Sequence, residues 1–158
     1  MLDPRAAACV RPCAVIDTNV WLDIYVFQDV AARPLARMLQ SGAVLAIRST
    51  RTQAELRVVL ARPQFAAKLT VAAAAQLMET WQAMTRNVEP TRVAPWLCRD
   101  PNDQKFLDLA FSARAALLFT KDRALLDLAR KARRDGLHIA EPGILAAPDG
   151  APLAACSC

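Results

Sequence analysis

Three short apolar runs do most to limit what this chain can fold into. Residues 14–16 (Ala-Val-Ile), 44–47 (Val-Leu-Ala-Ile) and 115–119 (Ala-Ala-Leu-Leu-Phe) contain no polar side chain, and each is followed within a few residues by a segment of helical periodicity. A strand with one wet face alternates apolar and polar residues, whereas a strand covered on both faces does not. Buried strands alternating with helices imply a mostly parallel sheet with helices on both sides, a three-layer α/β/α sandwich. In such a sheet, ligands gather outside the carboxyl ends of the strands. The first run ends there on an acid, in the stretch Cys13-Ala14-Val15-Ile16-Asp17-Thr18-Asn19. A carboxylate at the tip of a buried strand is costly without a partner. Asp17 therefore either caps the following helix or holds something positive.

The remaining segments fit the same alternation. Helices are expected over 20–27, over 34–40 with Pro34 at its start and Ser41-Gly42 at its end, from Ser49 or Thr50 to 61, over 70–86, from Asn102 or Asp103 onward, and over 123–134 closed by Gly136. Their inward stripes are Leu56, Val59 and Leu60, then Leu77, Met78, Trp81 and Met84, then Phe106, Leu107, Ala110 and Phe111. A short strand or extended link is expected at 87–93 and a last strand at 138–140. Asp23, Asp108 and Asp127 read as solvated helix faces, and His138 as structural. The division is a lead-in over 1–12, one domain over 13–141 and a loosely ordered Ala-, Pro- and Gly-rich tail over 142–158.

Composition narrows the class of function. A chain of 158 residues that is 54% hydrophobic can bury a core and is no disordered tail. Its 20 Lys and Arg against 15 Asp and Glu give a net charge of +5, which permits an anionic partner such as nucleic acid. Five cysteines at 9, 13, 98, 156 and 158 make an odd count with no disulfide framework, so a reducing, cytoplasmic setting is expected. A zinc knot from Cys9, Cys13, Cys156 and Cys158 is disfavoured by the Cys156-Ser157-Cys158 spacing, and free thiols are the simpler reading. The first twelve residues hold no apolar run of the secretory type. No apolar run reaches the roughly 18 residues of a membrane span, so no membrane association is expected.

Topology gathers four acids. Asp17 ends the first strand. Asp122 follows the 115–119 run after Thr120-Lys121. Glu55 lies in the early turns of the helix after the second strand. Asp103 opens the helix leading into the third buried run, and a helix antiparallel to its strand begins at the carboxyl edge. All four converge on that edge, with Asp100 nearby as a loop acid or an outer ligand. Singly, each has a plainer reading: Asp17, Asp103 and Asp122 as helix caps, Glu55 as part of a Thr52-x-x-Glu55 capping box. Together, carboxylates this close stay ionised only if cations neutralise them. Oxygen donors with a single histidine in the chain select Mg²⁺ or Mn²⁺ over zinc. Carboxylate-held divalent ions serve phosphodiester hydrolysis by activating water for in-line attack. Arg48 and Arg51 flank the start of the Glu55 helix and Arg123 follows Asp122; they are placed to meet substrate phosphates or are ordinary surface charge.

Four stretches in this order, AVIDTNVWL, TQAELRVVLARPQF, CRDPNDQKFLDLA and ALLFTKDRALLDL, resemble the PIN-domain ribonucleases, particularly the VapC-like toxins of toxin–antitoxin modules. The resemblance spans roughly residues 13–140. It implies that Asp17, Glu55, Asp103 and Asp122 are the catalytic, metal-holding acids and that Asn19 and Thr120 support them. Lys121 stands where such proteins often have glycine or arginine. It further implies an Mg²⁺- or Mn²⁺-dependent endonuclease acting on single-stranded RNA, a cognate antitoxin as partner and a homodimer. A non-catalytic nucleic-acid- or antitoxin-binding module and a structure-specific DNA nuclease are the alternatives. A haloacid-dehalogenase-type phosphatase would need an acid where Asn19 stands, and a receiver domain would need an acid pair that the chain lacks.

Overall fold

The computed structural model describes residues 11–146, and within them five strands form one sheet. These are β1 (Cys13–Ile16), β2 (Leu45–Arg48), β3 (Thr85–Asn87), β4 (Leu117–Phe119) and β5 (His138–Ala140). Their order is β3-β2-β1-β4-β5 and every pairing is parallel. The chain builds outward from β1 through β2 to β3, then returns across β1 to lay down β4 and β5 on its other side. The order thus reverses between β1 and β4, where a crevice opens at the carboxyl edge of a parallel sheet.

The two-residue period of a strand divides the core. Val15 lies in register with Ile47 and Leu118, and these three share one face. That face is covered by α6 (Gln104–Ser112), α7 (Arg123–Leu126) and α8 (Ala129–Ala132), through Phe106, Leu107, Leu125 and Ala132. Ala14, Ile16, Ala46, Leu117 and Phe119 point the other way. They meet Val20 and Trp21 of α1 (Thr18–Leu22), Leu35 of α2 (Arg33–Gln40), Leu56 of α3 (Thr50–Leu60) and Trp81 of α5 (Val71–Met84). The result is the expected three-layer sandwich. A short α4 (Pro63–Ala66) begins at the proline that closes the preceding segment. Among the described residues no helix is long and apolar enough to cross a membrane.

Several boundaries differ from expectation for local reasons. The first helix starts at Thr18 because Asp17 is itself the N-cap, and past Leu22 the chain widens into a π-helical turn, Asp23–Phe27, ended by Gln28 at φ 52°. The Ala-rich α5 stops at Met84, where the Thr85 hydroxyl donates to the Trp81 carbonyl (2.7 Å) and the backbone turns extended. Strand β3 follows directly, and the irregular link comes after it. The expected helix over 123–134 is broken: a backbone bond from Leu128 to the Leu125 carbonyl tightens the turn between α7 and α8, and a 3₁₀ turn, Arg133–Asp135, runs into Gly136 at φ 86°. Of the expected loose tail, Pro142–Ala146 is a 3₁₀ turn with Pro142 buried and Leu145 packed on the α1–α2 side of the core. The lead-in over 1–10, the tail from 147 and Cys9, Cys156 and Cys158 of the zinc knot lie outside the described residues.

The start of α3 is set by a capping box, but by Ser49 and Thr52 rather than Thr52 and Glu55. The Ser49 hydroxyl accepts from Thr52 N (3.3 Å) and the Thr52 hydroxyl accepts from Ser49 N (2.9 Å). Glu55 is thereby left out of the cap. Ser49→Ala should cost about 1 kcal/mol of stability, read as a shifted denaturation midpoint with unchanged slope.

Candidate active site

Asp17 sits at the reversal point between β1 and β4, held on both oxygens. Its Oδ1 accepts from Asn19 N (3.3 Å), capping α1, and its Oδ2 accepts from the Thr120 hydroxyl (2.8 Å). It is 3% exposed. Of the two sequence readings of this residue, cap or holder of a positive group, its hydrogen bond to Asn19 N realises the cap. Burial pushes its carboxyl above the ordinary carboxylate range; the Thr120 and Asn19 hydrogen bonds oppose this, and repulsion from Glu55 and Asp122 adds to it. Thr120 is wholly buried and two-sided: it donates to Asp17 and accepts from Asp122 N (2.9 Å). It thus ties the β1 tip to the β4 tip. Asn19 supports Asp17 through its backbone amide and has an exposed side chain.

Asp122 caps α7, accepting from Ala124 N (2.6 Å). Asp103 occupies the corresponding position before α6 yet makes no side-chain cap bond. Its carboxylate is half-buried, and its pKa is pushed up to about 6. Desolvation is the largest cause, followed by repulsion from Asp17, Asp122 and Asp100, with Lys105 pulling the other way. Asp100 is exposed and folds back to accept from Asn102 N (2.9 Å), a turn contact that leaves it at the rim. Repulsion thus links Asp17 with Glu55 and Asp122, and Asp103 with Asp17 and Asp122.

Glu55 extends from α3 with its Oε2 ion-paired to Lys105 Nζ. The sequence alone assigns Lys105 no role. It lies in the first turn of α6, where the helix dipole disfavours a cation, and that misplacement was the available signal. The compensating acid lies 50 positions earlier and shows only in three dimensions. A second unforeseen ion group stands beside the site. Lys121 Nζ bridges Asp23 (2.8 Å) and Asp29 (3.2 Å), so Asp23 is a buried, paired acid instead of a solvated one. Asp108 is likewise half-buried, accepting from Ala94 N and the Gln104 side chain (both 2.9 Å). Asp127 is exposed as expected, 3.6 Å from Arg99.

The arginines divide. Arg48 donates through Nε to Gln53 (3.0 Å) and through Nη1 to the Thr85 carbonyl and hydroxyl, with its guanidinium over the Trp81 ring. It links β2 to α3, β3 and α5 through Nε and Nη1. Arg51 and Arg123 are exposed in the first turns of α3 and α7.

Among the described residues, no three His, Cys, Asp or Glu side chains stand as a ready cage for a metal ion. The donor chemistry nevertheless fits a hard divalent cation. All the donors are carboxylate oxygens, they repel one another, and the one histidine, His138, lies on β5.

Carboxylates gathered where a parallel sheet reverses its strand order define a class of α/β protein with an acidic site at the switch point. A family model for the PIN domain matches residues 13–124, and the chain belongs to that family. Two solved structures are similar to it: VapBC2 from Rickettsia felis bound to a DNA fragment from their promoter (11% identity, TM-score 0.56) and VapBC-1 from nontypeable Haemophilus influenzae (16% identity, TM-score 0.52). Each likeness covers 82% of this chain and 98% of the other, and at these identities it is a likeness of fold. No curated protein matches the chain.

Proposed function

We propose that this chain is a divalent-metal-dependent endoribonuclease that cuts single-stranded RNA, and that it is the toxin of a toxin–antitoxin pair. The observation that carries the nuclease reading is Asp103: a helix-start acid with no cap bond, raised to about 6 by burial and by Asp17 and Asp122. An uncapped carboxylate among like charges is a poor structural element and a good cation ligand. Membership of the PIN domain family supports the same reading.

Asp17, Asp103 and Asp122 are the residues that would hold Mg²⁺ or Mn²⁺; Glu55, beside them, has its carboxylate paired with Lys105. When bound, such an ion supplies charge stabilisation at the phosphate and a more acidic water. The chain's own contribution is placement. Thr120 and the Asn19 amide fix Asp17 and prevent it from turning away. Asp122 is fixed by its bond to Ala124 N. Arg51 and Arg123, exposed at the rim, would meet backbone phosphates on either side of the cut. Direct hydrolysis does not use the substrate 2′-hydroxyl, so the products carry a 5′-phosphate and a 3′-hydroxyl.

The toxin reading and its partners rest on the structural neighbours, which are VapBC proteins. By that likeness a small cognate antitoxin would bind this chain, and the active form would be a cytoplasmic homodimer. The test is cleavage of a mixed single-stranded RNA pool with Mn²⁺ or with EDTA, with fragment ends mapped, beside a DNA pool of equal length. Mn²⁺-dependent RNA fragments with 5′-phosphates are expected. Cyclic phosphate ends, cleavage surviving EDTA or cleavage confined to DNA would overturn the reading.

A further inference from the structure

A buried ammonium inside a cluster of acids is a cation already in place, and Lys105 is one. Its side chain is 10% exposed. Besides the ion pair with Glu55, its Nζ donates to the Asn102 carbonyl and lies 4.8 Å from the centre of the Phe106 ring. It stands in the first turn of α6, against the helix dipole. A lysine in such a place is tolerable only as half of a pair. The pair partner is one of the four acids, and it is the only one of the four whose carboxylate is in an ion pair among the described residues. None of the three aspartates is in an ion pair among the described residues, and Asp103 makes no side-chain cap bond, so they are the acids left for a foreign cation. Glu55 is 28% exposed and already ion-paired.

We infer that Lys105 supplies the second positive charge of this site. The three aspartates Asp17, Asp103 and Asp122 take up one divalent ion, and Glu55 is withheld from a second ion by the Lys105 ammonium. Lys105 is thus a positioning residue that sets how many ions the site holds. The inference rests on the metal-site reading above and adds to it a number and a residue.

The test is a Mn²⁺ titration of the full chain, following free Mn²⁺ by electron paramagnetic resonance and bound Mn²⁺ by calorimetry, with far-ultraviolet circular dichroism as a check on folding. Wild type should bind one ion. Lys105→Met, which keeps the stem and removes the charge, should bind two, and Lys105→Arg should return to one. Glu55→Gln should bind one ion with little change, because the aspartates alone hold it; this variant decides the matter if Lys105→Met does not fold. Two ions in wild type, one ion in a folded Lys105→Met, or loss of binding in Glu55→Gln would each overturn the inference while leaving a metal site standing. No binding by wild type would overturn the metal reading itself and the inference with it.

Discussion

Asp103→Asn is expected to lower Mn²⁺-dependent RNA cleavage by roughly 10³-fold or more and, at the same time, to stabilise the metal-free protein at pH 8. The first half follows from the proposed role of Asp103: a charged ligand's interactions with the ion and the transition state would be worth several kcal/mol, each 1.36 kcal/mol being about tenfold in rate. The second follows from the direction of its pKa. The Asp103 carboxyl titrates at about 6 in the folded chain against the ordinary 3.8. A raised acid binds its proton more tightly when folded, so its ionised form weakens folding. The penalty is fully present above the folded value near 6, declines as pH falls through it and is gone below 3.8. The whole shift corresponds to about 3 kcal/mol, and solvent screening of a half-exposed group reduces the expected effect to ~1–2 kcal/mol. Denaturation midpoints in EDTA between pH 5 and 8 should therefore rise for wild type as pH is lowered, and follow a flatter course in Asp103→Asn. Equal slopes for the two proteins would show that Asp103 is not the strained group.

Which parts of the molecule can be read from its sequence depends on how local their physical cause is. The sheet was legible because burial on both faces is written into single short segments: 14–16, 44–47 and the 115–119 run each name a strand without reference to any other part of the chain. The gathering of acids was legible at one remove, since a parallel sheet fixes which ends of its strands and helices lie together. What escaped were pairings between distant side chains. Lys105 with Glu55, Lys121 with Asp23 and Asp29, and Arg48 with Thr85 join segments separated by long stretches of chain. Each looks in sequence like an ordinary surface charge. The π-helical turn at Asp23–Phe27 escaped for a related reason, because it brings Asp23 inward to meet Lys121, which no local propensity demands. Arg48, a cation beside the candidate site in sequence, uses Nε and Nη1 to tie β2 to α3 and β3, which no local pattern announces.

Thr120 offers the sharpest separation of placement from chemistry. Its hydroxyl carries no charge and would touch neither ion nor substrate, yet it donates to Asp17 and accepts from Asp122 N while wholly buried. Thr120→Val keeps the volume and shape and removes both bonds. The Asp122 amide then loses its acceptor and an Asp17 oxygen loses its donor, at a cost of about 1–3 kcal/mol for buried groups left unsatisfied. Asp17 also loses the hydrogen bond that most opposes the effect of its burial, so its carboxyl moves further up and is less often ionised at neutral pH. Groups that orient a metal ligand are worth about 10–100-fold in metal affinity or activity, so cleavage should fall by that amount and be partly recovered at higher Mn²⁺. Thr120→Ser, which keeps the hydroxyl and loses only a methyl group, should restore most of the rate and leave a smaller packing defect. Rates for the three proteins across a Mn²⁺ series, set beside their unfolding free energies in EDTA, distinguish the outcomes. A Thr120→Val protein whose cleavage matches wild type at every Mn²⁺ concentration would mean that Asp17 needs no orienting partner, and that the bond across the β1 and β4 tips serves the fold alone.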